Sequence, residues 1–145
     1  MDAKLNRLQV LQKYSPRIAH RIELISAEEL EKIETLDCGI LFVMAFWAGT
    51  SVRMFEALGR VLREVDEMEK IKLLVVDTDE LTDSYKTPPF NSVTMGGNGE
   101  TFWIRNGEVV YDSKGGLNLE CIEPNTLDLV RDCTKQHHTI PGEPA

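Results

Sequence analysis

The chain has 145 residues, 42% of them apolar and 28% charged, and carries a formal net charge of −8 with a pI of about 4.9. That is enough chain for one domain with a proper core, and its negative charge repels phosphate backbones, which argues against direct nucleic-acid binding. No apolar run approaches the roughly 20 residues of a membrane span. The N-terminus MDAKLNRLQVLQKYSPR has no signal-peptide pattern, so a cytoplasmic protein with no membrane partner is expected. Cys38, Cys121 and Cys133 form no C-x-x-C pair, and an odd count in a reducing compartment argues against a disulfide framework.

In chain order, Leu5, Leu8 and Leu11 mark a short amphipathic helix over 4–14, interrupted by Pro16. Its apolar stripe is expected to pack on the domain, with self-association as the other use. Arg21–Ile25 alternates like an edge strand. Ser26 and Glu29 then stand at capping-box spacing before a helix over Ala27–Leu36, with Gly39 available as a left-handed C-cap. Ile40–Phe46 is apolar without alternation, the pattern of a strand buried on both faces. Residues 51–69 read as a helix with the stripe Phe55, Leu58, Leu62 and Val65, in which Gly59 marks a bend or a close contact. Arg53, Arg60 and Arg63 cluster mildly on it, but interspersed acids point to a solvated face.

Ile71–Val76 is a second buried strand, followed by a long loop over 80–100 containing Pro88-Pro89 and Gly96-Gly97-Asn98-Gly99. Thr101–Ile104 and Glu108–Tyr111 form a hairpin through Asn106-Gly107. Asn125 is placed to cap a last helix with Leu127, Val130 and Cys133 on one stripe. The expected division is a helical extension over 1–16, a domain over 17–136 and a flexible tail over 137–145. The β-α-β start implies parallel pairing and the hairpin adds an antiparallel strand. The fold class is α/β: a mixed sheet of four or five strands with helices on both faces.

From about residue 20 to 135 these features resemble the thioredoxin family. The likeness rests on the apolar strand ending in Phe46-Trp47-Ala48, the long helix after it, the strand ending in Asp77–Asp79, and the hairpin around Arg105-Asn106-Gly107. The resemblance implies a three-layer thioredoxin-like fold. It also shows what is missing. Thioredoxins place W-C-G-P-C-K after the F-W-A segment. Ungapped, Ser51-Val52-Arg53-Met54 falls on C-G-P-C; a two-residue gap puts Gly49-Thr50-Ser51-Val52 there. Neither register holds a thiol. A serine is far less acidic than the helix-start cysteine and forms no mixed disulfide, and a methionine thioether cannot resolve one. Ala45 stands where the family has a buried acid, Val75 where it often has a lysine, and Gly99-Glu100 where a cis-proline precedes the threonine of the hairpin strand.

The expectation is therefore a redox-inactive thioredoxin-like protein that binds a protein or peptide, as an adaptor or assembly module. The family's peptide surface maps onto Trp47, Thr50, Ser51, Arg53 and Met54 with Gly99, Glu100 and Thr101. Thr50 and Ser51 read as N-caps rather than nucleophiles, since no histidine is placed near them in sequence. The alternative is an enzyme using a relocated thiol, Cys121 or Cys38, or a glutathione-linked site near Ser51. Cys133 reads as a small buried hydrophobe, Cys38 as half-buried, and Cys121 as the most exposed of the three. No cofactor is expected. Neither His137-His138 nor the acidic run Asp77, Asp79, Glu80 and Asp83 has the spacing of a metal site.

Overall fold

The structure is a computed structural model that describes residues 3–81, 90, 96–115 and 118–138. The greater part of the 80–100 loop, its Pro88-Pro89 included, and the tail beyond His138 lie outside the described residues. Five strands form one sheet: β1 (Ile22–Ile25), β2 (Cys38–Met44), β3 (Lys72–Asp77), β4 (Thr101–Arg105) and β5 (Glu108–Asp112). Their spatial order is β1-β3-β2-β4-β5. β3 runs parallel to both β1 and β2, while β4 is antiparallel to β2 and β5 to β4. The helices are α1 (Ala3–Tyr14), α2 (Gly49–Val65) and α3 (Ile122–His138). Among the described residues no helix is long and apolar enough to cross a membrane.

β2 is buried along its whole length, as its unbroken apolar run predicts. Ile40, Phe42 and Met44 point into one core with Leu11, Phe55, Leu58, Leu62 and Trp103. Leu41 and Val43 point into the other, with Ile33, Leu74, Val76, Phe90, Phe102 and Ile104. The period-two alternation thus serves both layers at once. The expected hairpin is present, with Asn106 and Gly107 at φ 51° and 77°. Their amides donate to Asp37 and Leu36 carbonyls, each at 2.8 Å, which seats the turn on the preceding segment.

Three local expectations are corrected. Residues 27–35 form a 3₁₀ segment rather than an α-helix. Glu29 does return to the Ser26 amide at 3.0 Å, which holds its carboxyl down at about 2, but only Ile33 of the segment is buried. Gly39 is not a C-cap; it lies inside β2, where a Cβ would meet Leu36 Cδ1 at 2.6 Å. Asn125 sits within the first turns of α3, after Pro124, whose missing amide is one the helix start leaves unpaired anyway.

The N-terminal helix packs on the domain. Leu11 is fully buried, and Arg7 reaches Asp77 at 3.5 Å and Glu80 at 3.2 Å, beyond the end of β3. At the other end of α1, Ser15 Oγ donates to the Phe55 carbonyl at 3.4 Å. Gly59 permits that approach: a Cβ there would collide with Ser15 Oγ and lie 2.8 Å from its Cβ. Gly59→Ala gains about 1 kcal/mol of helix propensity, but overpacking of this kind costs about 1–3 kcal/mol. Urea unfolding is expected to show a net loss of stability; a gain would mean that Ser15 moves aside freely.

The largest correction concerns the cysteines. Cys38 and Cys133 are joined by a disulfide, 95 residues apart in sequence with their Cα atoms 6.3 Å apart. Both are buried, so Cys38 is not half-buried and Cys133 is more than a hydrophobe. The pairing is tertiary: α3 crosses β2 and β4, and Arg105, opposite Cys38 in the sheet, meets Asp132 at 3.4 Å. Closing so long a loop restricts the unfolded chain, so Cys38→Ala with Cys133→Ala is expected to cost about 2–4 kcal/mol. A thiol titration of the denatured, unreduced protein should count only Cys121; three reactive thiols would show the pair to be reduced.

Candidate functional site

β2 delivers the chain at its C-terminal end to the turn Ala45–Ala48, and α2 begins at Gly49. The helix is capped by Ala48, which has no side-chain bond to offer. Thr50 and Ser51 are therefore not caps but residues of the first turn, and each is committed elsewhere. Ser51 is fully buried. Its Oγ accepts from the Ala45 amide at 2.9 Å and donates to Met44 Sδ at 3.4 Å. A hydroxyl so enclosed ties the helix start to the end of β2. It faces neither solvent nor a base. Thr50 Oγ1 donates across to the Gly97 carbonyl at 3.2 Å and Asn98 Oδ1 at 3.4 Å.

The strand partner of this junction is the turn 96–100. Gly99 has φ 77°, and a Cβ there would meet Met54 Cβ at 2.6 Å and Phe42 Cζ at 3.0 Å. The backbone at Gly99 therefore presses directly on the Met54 side chain, which is fully buried. Glu100 and Thr101 are buried as well. The Glu100 carboxylate accepts the Gly96 and Asn98 amides at 3.1 and 3.3 Å through Oε2, closing the turn on itself. Thr101 exchanges bonds with Ser113, its amide donating to Ser113 Oγ at 3.0 Å.

The predicted surface thus divides. Ser51, Met54, Gly99, Glu100 and Thr101 are brought together but lie beneath the surface, because serine, threonine and the methionine thioether are absorbed into local packing. Trp47 and Arg53 are exposed and Thr50 is half-buried at the rim. Trp47 stands 67% exposed, yet it is held: its Nε1 donates to Asp79 Oδ1 at 3.3 Å. Its six-membered ring lies over Gly97, where a Cβ would meet Cη2 at 2.7 Å. Asp79, Gly97 and Asn98 are site residues the sequence reading missed. No local pattern marks them, since each meets the junction from a distant stretch of chain.

The other thiols are poorly placed for chemistry. Cys38 is bonded to Cys133. Cys121 is the most exposed of the three, as expected, but still half-buried; its Sγ lies 3.2 Å from the Asn118 carbonyl, and burial pushes its thiol up from the usual value. That is the opposite of what a thiolate nucleophile requires.

No protein-family model and no curated protein matches the chain in sequence. Solved structures match it in shape. The oxidized mitochondrial thioredoxin 3 of Saccharomyces cerevisiae aligns with a TM-score of 0.58 at 19% identity, over 74% of this chain and 95% of its own. The thioredoxin of Trypanosoma brucei brucei aligns at 0.56 with 15% identity, over 77% and 92%. Chloroplastic thioredoxin z aligns at 0.56 with 21% identity, over 79% and 96%. The chain has the thioredoxin fold. At these identities the likeness is one of fold, and chemistry has to be argued from the residues at the site.

Beside Trp47, Asp77 is buried at the end of β3, and desolvation raises its pKa above the ordinary 3.8, opposed by its bond from the Asp79 amide and by Arg7. A carboxyl that binds its proton more tightly when folded adds stability in full below the unfolded value, and loses that contribution as pH rises through the folded one. Carbon-detected NMR of Asp77 should show a midpoint above 3.8. Arg7→Ala should move it higher still; a downward move would remove Arg7 as its counter-charge.

Proposed function

We propose that this is a redox-inactive thioredoxin-fold protein that binds a protein or peptide partner, as an adaptor or assembly module, through the surface around Trp47. One observation carries the reading: a large aromatic side chain is 67% exposed at the helix junction, yet fixed by Asp79 and backed by Gly97. A rigid indole with its apolar face outward loses little freedom on binding, which is why tryptophan so often anchors interfaces. Thr50 meets the same Gly97 from the first turn of α2, and Arg53 is exposed one turn further on. The chemistry beneath supports the same reading. Ser51 and Met54 supply no thiolate, and both are enclosed. Ser51 already uses its hydroxyl on Ala45 and Met44, which counts against a glutathione-linked site there. The raised Cys121 thiol and the bonded Cys38 count against a relocated nucleophile.

Insulin reduction with a dithiol donor is expected to stay at the blank rate. A partner captured from the native cell by the intact protein should be lost with Trp47→Ala, at a cost of about 2 kcal/mol or more. The substitution is at the surface, and an unchanged circular dichroism spectrum would confirm the fold. Turnover of insulin would overturn the redox-inactive reading. Undiminished capture by the variant would overturn the placement at Trp47.

A further inference from the structure

A second surface lies on the outer flank of α2, away from the junction. The chain leaving α1 turns at Ser15 and Pro16 and runs back against α2, drawn in by Gly59. Between them is a groove of about 330 Å³. Its floor is apolar, made by Tyr14, Pro16, Ile18 and Gly59. Arg17 borders it on one side, and Arg60 and Arg63 on the other. A second depression of about 270 Å³ shares Arg17, Ile18 and Arg63, but Asp66, Glu67 and Glu69 also line it and its His20 and Arg21 are already paired, so the basic groove ends where this depression begins.

The charges are the telling feature. In a chain of net charge −8, several basic groups are paired with acids: Arg7 with Asp77 and Glu80, Arg21 with Asp66, His20 with Glu69. Among the described residues, Arg17, Arg60 and Arg63 make no ion pair, although Glu56 and Glu64 line the same groove. The sequence reads Arg53, Arg60 and Arg63 as a solvated face, and all three are exposed. The structure adds that Arg60 and Arg63, joined by Arg17, line a partly apolar groove.

We propose that this groove binds a short acidic segment of a partner protein, with an aliphatic or aromatic side chain on the floor and one or two carboxylates on the arginines. Guanidinium groups accept carboxylates through two parallel N–H bonds, so three free forks favour this chemistry over a neutral ligand. Glu56 and Glu64 repel a densely charged polyanion, which separates this ligand from a nucleic acid or a polyphosphate. The site is distinct from Trp47: Arg60 lies about 16 Å along α2 from its start.

The test uses the intact protein and a random displayed-peptide library. Recovered peptides are expected to carry Asp or Glu beside apolar residues. A fluorescent copy of the most enriched one should weaken by about tenfold or more with Arg60→Glu or Arg63→Glu, and progressively with added NaCl. Both side chains are exposed, so these variants are expected to keep the wild-type circular dichroism spectrum. Trp47→Ala should bind the peptide as wild type does, which keeps this outcome separate from that of the junction surface. The proposal is overturned if no peptide is enriched or if the enriched peptides are neutral or basic. It is equally overturned if charge reversal leaves binding unchanged, if Trp47→Ala alone abolishes it, or if inorganic tripolyphosphate is bound calorimetrically and no peptide is.

Discussion

β2 is hydrogen-bonded on both edges and packed on both faces, and the rest of the molecule is placed by that double demand. Its partners β3 and β4 approach from opposite sides with opposite polarity. Its alternate side chains fill two cores, so neither layer can shift without disturbing the other. Its first residue is tied through the disulfide to α3, and its last leads into the turn that launches α2. A strand fixed on all sides makes a rigid mount for whatever projects at its end.

What projects there is a helix start whose inner side has been closed. In a thiol-exchange protein this is where reactivity is concentrated, because the helix terminus stabilises a thiolate. Here the same geometry carries a hydroxyl between the Ala45 amide and Met44, and a thioether pressed against Gly99. The positive φ of Gly99 lets the backbone come close enough to fill the space. The turn then closes through Glu100, whose carboxylate gathers two amides of the same turn. The helix start is thus packed on its inner side, and Trp47 is what stands outward.

The sheet was legible in the sequence where the pattern is local. Ile40–Phe46 and Ile71–Val76 could only be buried strands, and Asn106-Gly107 could only be a turn with positive φ. The strand limits shift by one or two residues, as ends do when the flanking residues are also apolar. The 27–35 segment was misread because a capping pair and a few apolar residues fit a 3₁₀ run as well as an α-helix. The disulfide was not legible, since nothing in the spacing of Cys38 and Cys133 shows that α3 crosses the start of β2. The site was half legible. Residue types showed that the junction itself holds no thiol, but burial decided which of Trp47, Ser51, Met54 and Glu100 meets solvent, and burial depends on distant residues such as Gly97 and Asp79.

The two surfaces are linked by the way the N-terminal segment is held. Arg7 anchors α1 beside Asp77 and Glu80, next to the acid that orients Trp47. Ser15, at the end of that helix, anchors it on Phe55 and Gly59 and so forms one wall of the arginine-lined groove. The extension is thus a structural part of both surfaces rather than an appendage. Its removal would take Leu11 out of the core and strip the groove of its wall together with the Arg7 counter-charge. The indole stands in the turn before α2, and Arg60 of the groove lies about 16 Å along that helix from its start. A partner that engaged both proposed surfaces would gain from the effective concentration each contact gives the other. The thioredoxin fold of this chain holds an exposed indole and an arginine-lined groove in a fixed relation to each other.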